Sequence, residues 1–205
     1  MIPLNTSAWN RLRYTLYAPF YDRVVRFAKP RRRSIELLSL SPGERVLIVG
    51  AGTGADLPFL PDDVQVTATD LTPAMVERIL KRARRLGRAV EARVMDAQAL
   101  DYPDGSFDAV ILHLIVAVAP DPRAVVREAE RVLVPGGRIA VFDKFAPEGR
   151  SPSLLRRVLN VATSFFFTDI TRKLGPLLEG TRLRIVHREP AFLGRAFEVV
   201  LLEER

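Results

Sequence analysis

The sequence predicts an α/β fold: a seven-stranded, mostly parallel sheet with helices on both faces and one antiparallel strand near the C-terminus. Three observations lead there. Short aliphatic runs alternate with longer stretches whose apolar residues recur every three or four positions, the pattern of strands joined by crossover helices. The first run, Val46 to Val49, is unbroken and rich in β-branched residues, as a strand buried on both faces should be. The last two runs are joined by Arg188 to Arg195, a link that suits a hairpin and turns one C-terminal strand antiparallel.

In chain order, helices are expected over residues 7–17, 19–28 and 31–39, with Pro19 ending the first and starting the second. Strands follow at 45–50 and 64–69. A helix over 73–86 has Thr72 as its cap and Pro73 in its first turn, and carries Met75, Val76 and Ile79 inward. Beyond it come strands at 90–95 and 107–113, a helix over 121–133, a strand at 137–143, a helix over 151–164, and strands at 182–188 and 196–203. With 205 residues, no long polar linker, no internal repeat and no low-complexity tract, the chain reads as one domain (1–205) with a sizeable core.

Composition removes several function classes. There is no cysteine, which excludes disulfides, thiolate nucleophiles and cysteine-rich metal sites. The two histidines, His113 and His187, have no ligand spacing, so no metal is expected. No stretch reaches the roughly 18 apolar residues that span a bilayer, and the N-terminus has no secretory pattern. The expectation is a cytoplasmic protein, soluble or attached peripherally to the inner membrane face.

Charge is uneven. Of the net +7, residues 1–40 carry +6: eight basic side chains against Asp22 and Glu36. In the same segment Trp9, Leu12, Leu16, Phe20, Val24 and Phe27 recur at helical spacing, so residues 1–33 read as a basic amphipathic arm. Basic groups beside Trp9, Tyr14, Tyr17 and Tyr21 suit an anionic membrane surface. A helix that merely packs over the fold, with Arg31, Arg32 and Arg33 solvated, is the other reading. Nucleic acid is not expected as a partner, because no basic stripe or stacking platform is read beyond the arm.

The most specific segment is Val49-Gly50-Ala51-Gly52-Thr53-Gly54, followed by Asp70, 20 residues beyond Gly50, at the end of a second apolar run. It reads as a strand feeding a nucleotide-binding turn: glycines let a ligand approach the backbone, and an acid at the next strand's end can hold ribose hydroxyls. Gly50 to Ala55 also satisfies the fingerprint of dinucleotide-binding proteins, so this motif alone leaves the cofactor open.

Later residues narrow it. Met95-Asp96-Ala97 ends a third apolar stretch with another acid, Ser106 to His113 makes a fourth strand, and Arg131 to Arg138 turns a helix into a fifth through Pro135-Gly136-Gly137. Taken in this order, residues 34–145 resemble the class I S-adenosylmethionine-dependent methyltransferases, a Rossmann-like family. The resemblance implies that Gly50, Ala51, Gly52, Thr53 and Gly54 pass beneath the methionine moiety and that Asp70 binds the ribose. It implies that Leu71 packs on the adenine, Asp96 accepts from the exocyclic amine, Ala97 offers its amide to the ring, and His113 sits beside the transferable methyl. Where the family usually has an acid, two residues before the first glycine, this chain has Ile48.

A narrower likeness concerns the acceptor. Tyr17-Ala18-Pro19-Phe20-Tyr21-Asp22 resembles a segment of bacterial phosphatidylethanolamine N-methyltransferases and related quinone-ring methyltransferases, and Leu57-Pro58 and Val118 to Pro122 resemble the phospholipid branch. The implied activity is N-methylation of phosphatidylethanolamine or another apolar acceptor. C-methylation of a quinone precursor and a noncatalytic cofactor-binding regulator are the alternatives. If the acceptor is a primary amine it must lose a proton before attack; His113 is the candidate base, while Tyr17 and Tyr21 are candidates to orient the acceptor. Phe165, Phe166 and Phe167 are candidates for its apolar pocket, with core packing as the other reading.

Overall fold

The computed structural model describes Thr6 and residues 27–146, 172–192 and 196–205, with Phe192 as backbone only. The expected helices at 7–17 and 151–164, most of that at 19–28, and Phe165 to Phe167 lie outside the described residues. The elements are α1 (Ala28–Leu37), β1 (Arg45–Val49), a 3-10 turn (Leu57–Phe59), β2 (Gln65–Asp70), α2 (Pro73–Leu86), β3 (Val90–Val94), β4 (Phe107–His113), α3 (Pro122–Arg131), β5 (Leu133–Lys144), α4 (Gly175–Leu178), β6 (Leu183–Phe192) and β7 (Phe197–Glu204).

They form one seven-stranded sheet in the order β3-β2-β1-β4-β5-β7-β6. β1 pairs in parallel with β2 on one side and β4 on the other, placing Ile48 beside both Ala68 and Ile111. β7 runs antiparallel to both β5 and β6. Because the chain moves outward from β1 to β3 and returns at β4 on the opposite side, a crevice opens beyond the carboxyl ends of β1 and β4.

Side-chain alternation in the central strands feeds two cores. Leu47, Val49, Val110 and Leu112 point to one face, where Val125, Val126 and Ala129 of α3 cover them. Val46, Ile48, Ala109 and Ile111 point to the other, beneath Ile35 of α1 and Ile79 and Ala83 of α2. Burial on both faces is the physical reason the strands read as unbroken aliphatic runs. Phe27 closes the fold near its N-terminal end, edge-on to Phe142 at 5.4 Å and 5.1 Å from Phe197.

α2 has the bounds its sequence signals imply. The Thr72 hydroxyl accepts the Met75 N–H at 3.3 Å, Pro73 occupies the first turn, and Gly87, at φ +68°, ends the helix in the left-handed conformation. Several bounds differ. α1 runs Ala28–Leu37 where the sequence predicts 31–39, with Pro30 in its first turn, and the short α4 has no counterpart among the predicted helices. α3 stops at Arg131 and β5 begins at Leu133, because Leu133 already pairs with Phe107 across a register shift. Pro135-Gly136-Gly137 is therefore an irregularity inside β5, with Gly136 at φ +76° donating its N–H to Glu204. β6 continues past 188 through Pro190, a residue the edge of a sheet tolerates because one side needs no donor.

Candidate functional site

The crevice at the carboxyl ends of β1 to β4 holds about 800 Å³ of empty space. Its floor is the turn after β1, Gly50 to Thr53. Asp70 and Leu71 form one wall, Met95 to Gln98 close one end, and His113 to Ile115 with Arg31 form the opposite side. Of the expected cofactor residues, Gly50, Ala51, Gly52, Thr53, Asp70, Leu71, Asp96, Ala97 and His113 come together here. Gly54 stands off the wall. At φ +75° it tucks the turn against α2, where an added Cβ would lie 3.1 Å from Leu57 and 3.4 Å from the Ile79 backbone. Tyr17 and Tyr21 lie outside the described residues.

Backbone shape keeps this floor open. Gly50 and Gly52 have φ of +65° and +57°, a region that costs other residues energy. At Gly50 a Cβ would also press on Ile115, 2.7 Å from Cδ1 and 3.1 Å from Cβ. Leu114 is one of two non-glycine residues at positive φ (+61°) among the described ones, and its N–H is held by Phe142 O at 2.8 Å. Strain of this kind needs support, and it turns the chain sharply from β4 into the crevice wall.

Asp70 ties the turn to the next helix. One carboxylate oxygen accepts the Gly52 N–H at 2.9 Å; the other accepts the Thr72 N–H at 3.0 Å and the Thr72 hydroxyl at 3.1 Å. Burial raises its pKa against the lowering effect of those donors. The Leu71 N–H adds a further lowering contact, so the carboxylate is fixed at the crevice wall by the chain on either side of it. Across the crevice, Asp96 Oδ1 accepts both the backbone N–H and the side-chain amide of Gln98, at 3.0 and 2.9 Å.

His113 sits in a buried network that the sequence did not reveal. Its Nδ1 lies 2.7 Å from Asp56 Oδ1 and its Nε2 2.9 Å from the Ser34 hydroxyl. The Arg31 guanidinium donates to both Asp56 oxygens at 2.7 and 2.8 Å. With Asp56 ionised, the consistent arrangement is a neutral imidazole that donates from Nδ1 and accepts at Nε2. Burial lowers the His113 pKa more than Asp56 raises it. For Asp56, burial works to raise the pKa, but Arg31 and His113 outweigh it and hold the carboxyl well below its ordinary range.

The alternative reading of Arg31 to Arg33 as a solvated helix start fails at Arg31, which is only 5% exposed and points into the fold. Arg32 and Arg33 are exposed, Arg33 pairing with Glu189 at 2.8 Å and Arg32 lying over Phe59. In a run of three arginines nothing distinguishes the inward one except helical phase against an unseen neighbour. Asp56 had a weak signal, an acid inside the apolar stretch Ala55 to Leu60.

Behind the wall, Asp143 at the end of β5 braces the segment after β4. It accepts the Ala117 N–H at 3.0 Å and the Lys144 N–H at 2.8 Å, and burial pushes its pKa up to about 6. The Arg172 guanidinium donates to Val116 O and, at 2.7 Å, to Ala119 O on the same segment. Among the described residues no group of acids and histidines could hold a metal ion, and no helix is long and apolar enough to cross a membrane.

Comparisons with known proteins agree with this geometry. A family model described as a methyltransferase domain matches residues 47–141. Over 195 residues the chain is 30% identical to a phosphatidylethanolamine N-methyltransferase of Cereibacter sphaeroides, covering 94% of this chain and 95% of that one. It is 31% identical over 173 residues to a demethylmenaquinone methyltransferase of Thermus thermophilus, covering 80% and 75%. A solved S-adenosylmethionine-dependent methyltransferase from Aquifex aeolicus has the same fold, with a TM-score of 0.64 at 19% identity over 85% of this chain and 89% of that one.

A glycine floor open to a ligand and a carboxylate held in place on the crevice wall fit S-adenosylmethionine, which is the cofactor. When bound, it supplies a methyl group already activated on a sulfonium. The protein has to hold a nucleophile in line with that group and exclude water. The chain is an enzyme, and it belongs to the class I S-adenosylmethionine-dependent methyltransferases.

Proposed function

We propose that this enzyme N-methylates phosphatidylethanolamine at a membrane surface. The observation that carries the reading is the match to the Cereibacter sphaeroides phosphatidylethanolamine N-methyltransferase, which runs nearly end to end in both chains. Supporting it are the basic, aromatic composition of residues 1–33 and the segment Tyr17 to Asp22. In this reading Gly50 to Thr53 carry the methionine moiety, Asp70 takes the ribose, Leu71 packs on the adenine, and Asp96 and Ala97 meet its edge. Tyr17 and Tyr21 orient the acceptor amine.

His113 takes a different part from a general base. Both its nitrogens are engaged with buried partners, so it acts as a fixed wall beside the reacting atoms and leaves the ammonium proton to water. The neutral amine would then be held in line with the activated methyl group that S-adenosylmethionine supplies when bound.

C-methylation of a quinone precursor is the second reading, favoured by the likeness to the Thermus thermophilus enzyme over 80% of this chain. Labelled S-adenosylmethionine, incubated with the protein and separately with phosphatidylethanolamine vesicles or a demethylated quinol, decides between them. Label in the monomethyl phospholipid is the expected result. Label in the quinol alone overturns the first reading in favour of the second.

A further inference from the structure

We propose that the outer face of α2 is a docking surface for anionic phospholipid, separate from the N-terminal arm and continuous with the cofactor crevice. Arg78, Lys81, Arg82 and Arg85 stand at intervals of three and four, so they share one face of the helix. Together with Thr53 they line a second hollow, with about 540 Å³ of empty space. Thr53 is common to both hollows, since it also belongs to the glycine turn on the crevice floor.

Three of these four cations are not used within the described fold. Arg78, Lys81 and Arg85 have no carboxylate partner among the described residues, although Arg31, Arg45, Arg131 and Arg138 are each ion-paired. Helix polarity accounts for only part of the pattern. Arg84 and Arg85 lie in the last turn, where cations suit the negative end of the helix, but Arg78, Lys81 and Arg82 come earlier. Like charges three and four residues apart destabilise a helix by a few tenths of a kcal/mol per pair, and Glu77 is the single acid in Pro73–Leu86 to offset them. A face held at that cost has charge complementarity to a dense anion.

The chemistry of the hollow favours phospholipid over nucleic acid. Its lining has no aromatic side chain on which a base could stack. A row of cations on one helix meets the negative surface potential of a bilayer, and Leu86, which follows Arg85 and is 42% exposed, can enter the headgroup boundary. Docked this way, the headgroup layer lies beside the glycine turn, where a phospholipid amine could enter the crevice without its acyl chains leaving the membrane.

The purpose of this surface rests on the membrane-acceptor reading, but the docking does not. It is therefore measured on vesicles that contain no phosphatidylethanolamine. The full-length enzyme and the variant R78Q/K81Q/R82Q/R85Q are sedimented with phosphatidylcholine vesicles, with and without phosphatidylglycerol. At about fivefold per cation near the surface, the variant should lose roughly 600-fold in partitioning onto the anionic vesicles. Its affinity for S-adenosylhomocysteine by calorimetry should stay unchanged, which confirms the fold, and R78K/R82K/R85K should bind vesicles like the parent. If the glutamine variant misfolds, K81Q/R85Q alone, both on exposed positions, should lose at least tenfold. The proposal is overturned if a folded variant binds anionic vesicles as the parent does. It is equally overturned if the parent ignores anionic vesicles, or if the substitutions abolish binding of a labelled single-stranded RNA while leaving vesicle binding intact.

Discussion

At the scale of single residues, the crevice depends on backbone positions and one carboxylate. Gly50 combines a φ of +65° with a Cβ direction blocked by Ile115, so Gly50→Ala should weaken S-adenosylhomocysteine binding by tenfold or more and lower the thermal midpoint. Calorimetry and a melting curve read both. Asp70→Ala should cost cofactor affinity about 1–3 kcal/mol, through lost charge-assisted bonds. Part of that loss is structural, because Asp70 also holds the Gly52 and Thr72 amides. Asp70→Asn separates the two effects: it retains an acceptor for one amide, so a similar affinity loss with a smaller stability loss is expected. Equal affinity for Asp70→Ala and the parent would remove Asp70 from the ribose site.

At the scale of elements, the network of Arg31, Ser34, Asp56 and His113 binds α1 to the turn after β1 and to the end of β4. Removing one partner strands a buried charge, so Arg31→Met or Asp56→Leu should destabilise the protein by about 3–5 kcal/mol. The double variant removes both charges together and should be less destabilised than the sum of the singles, a coupling that denaturant titrations of all four proteins would measure. Additive losses would mean the pair is not coupled. The same network changes how the arm is tested. Substituting Arg31 would damage the fold, so membrane attachment by residues 1–33 is better probed with Arg11, Arg13, Arg23 and Arg26 changed to Ser. Flotation with anionic vesicles at low salt should then fall while cofactor affinity holds, and undiminished flotation would leave the arm no part in docking.

For the whole molecule, three of the buried groups with shifted pKa contribute to the pH dependence of stability with different signs. The depressed pKa of Asp56 contributes stability that is present above the unfolded value of 3.8 and is lost as pH falls further. The lowered pKa of His113 means the unfolded chain takes up a proton first, so stability declines as pH falls below 6.5. Asp143 acts in the opposite direction. Its pKa is raised from 3.8 to about 6, so the folded state holds a proton more tightly and stability falls as pH rises through that window, then levels. Asp143→Asn removes this term, and relative to the parent the variant should gain about 1 kcal/mol between pH 5 and pH 7. Urea midpoints at the two pH values check it, and a difference that does not change with pH would show that Asp143 is not protonated in that range.

The sequence by itself determined the sheet, its parallel core and the residues that gather at the crevice. Val46 to Val49, the glycine turn, Asp70 and Asp96 are local signals: a run buried on both faces must be apolar, a left-handed turn needs glycine, and acids at strand ends follow in chain order. The bounds of α2 were legible for the same reason, because Thr72, Pro73 and Gly87 act on their own neighbours. Ends governed by partners were not legible, such as the early start of β5 opposite Phe107 and the run of β6 through Pro190 at the sheet edge. Charge was misread most. A total of +1 beyond residue 40 concealed the basic face of α2, since acids elsewhere in the chain cancel it in a sum but not in space. Only the tertiary structure decided that Arg31 turns inward to Asp56 and that both nitrogens of His113 are taken. Those contacts join residues 25, 57 and 79 positions apart, and no local pattern encodes which of several similar side chains will meet a distant partner once the sheet has brought them together.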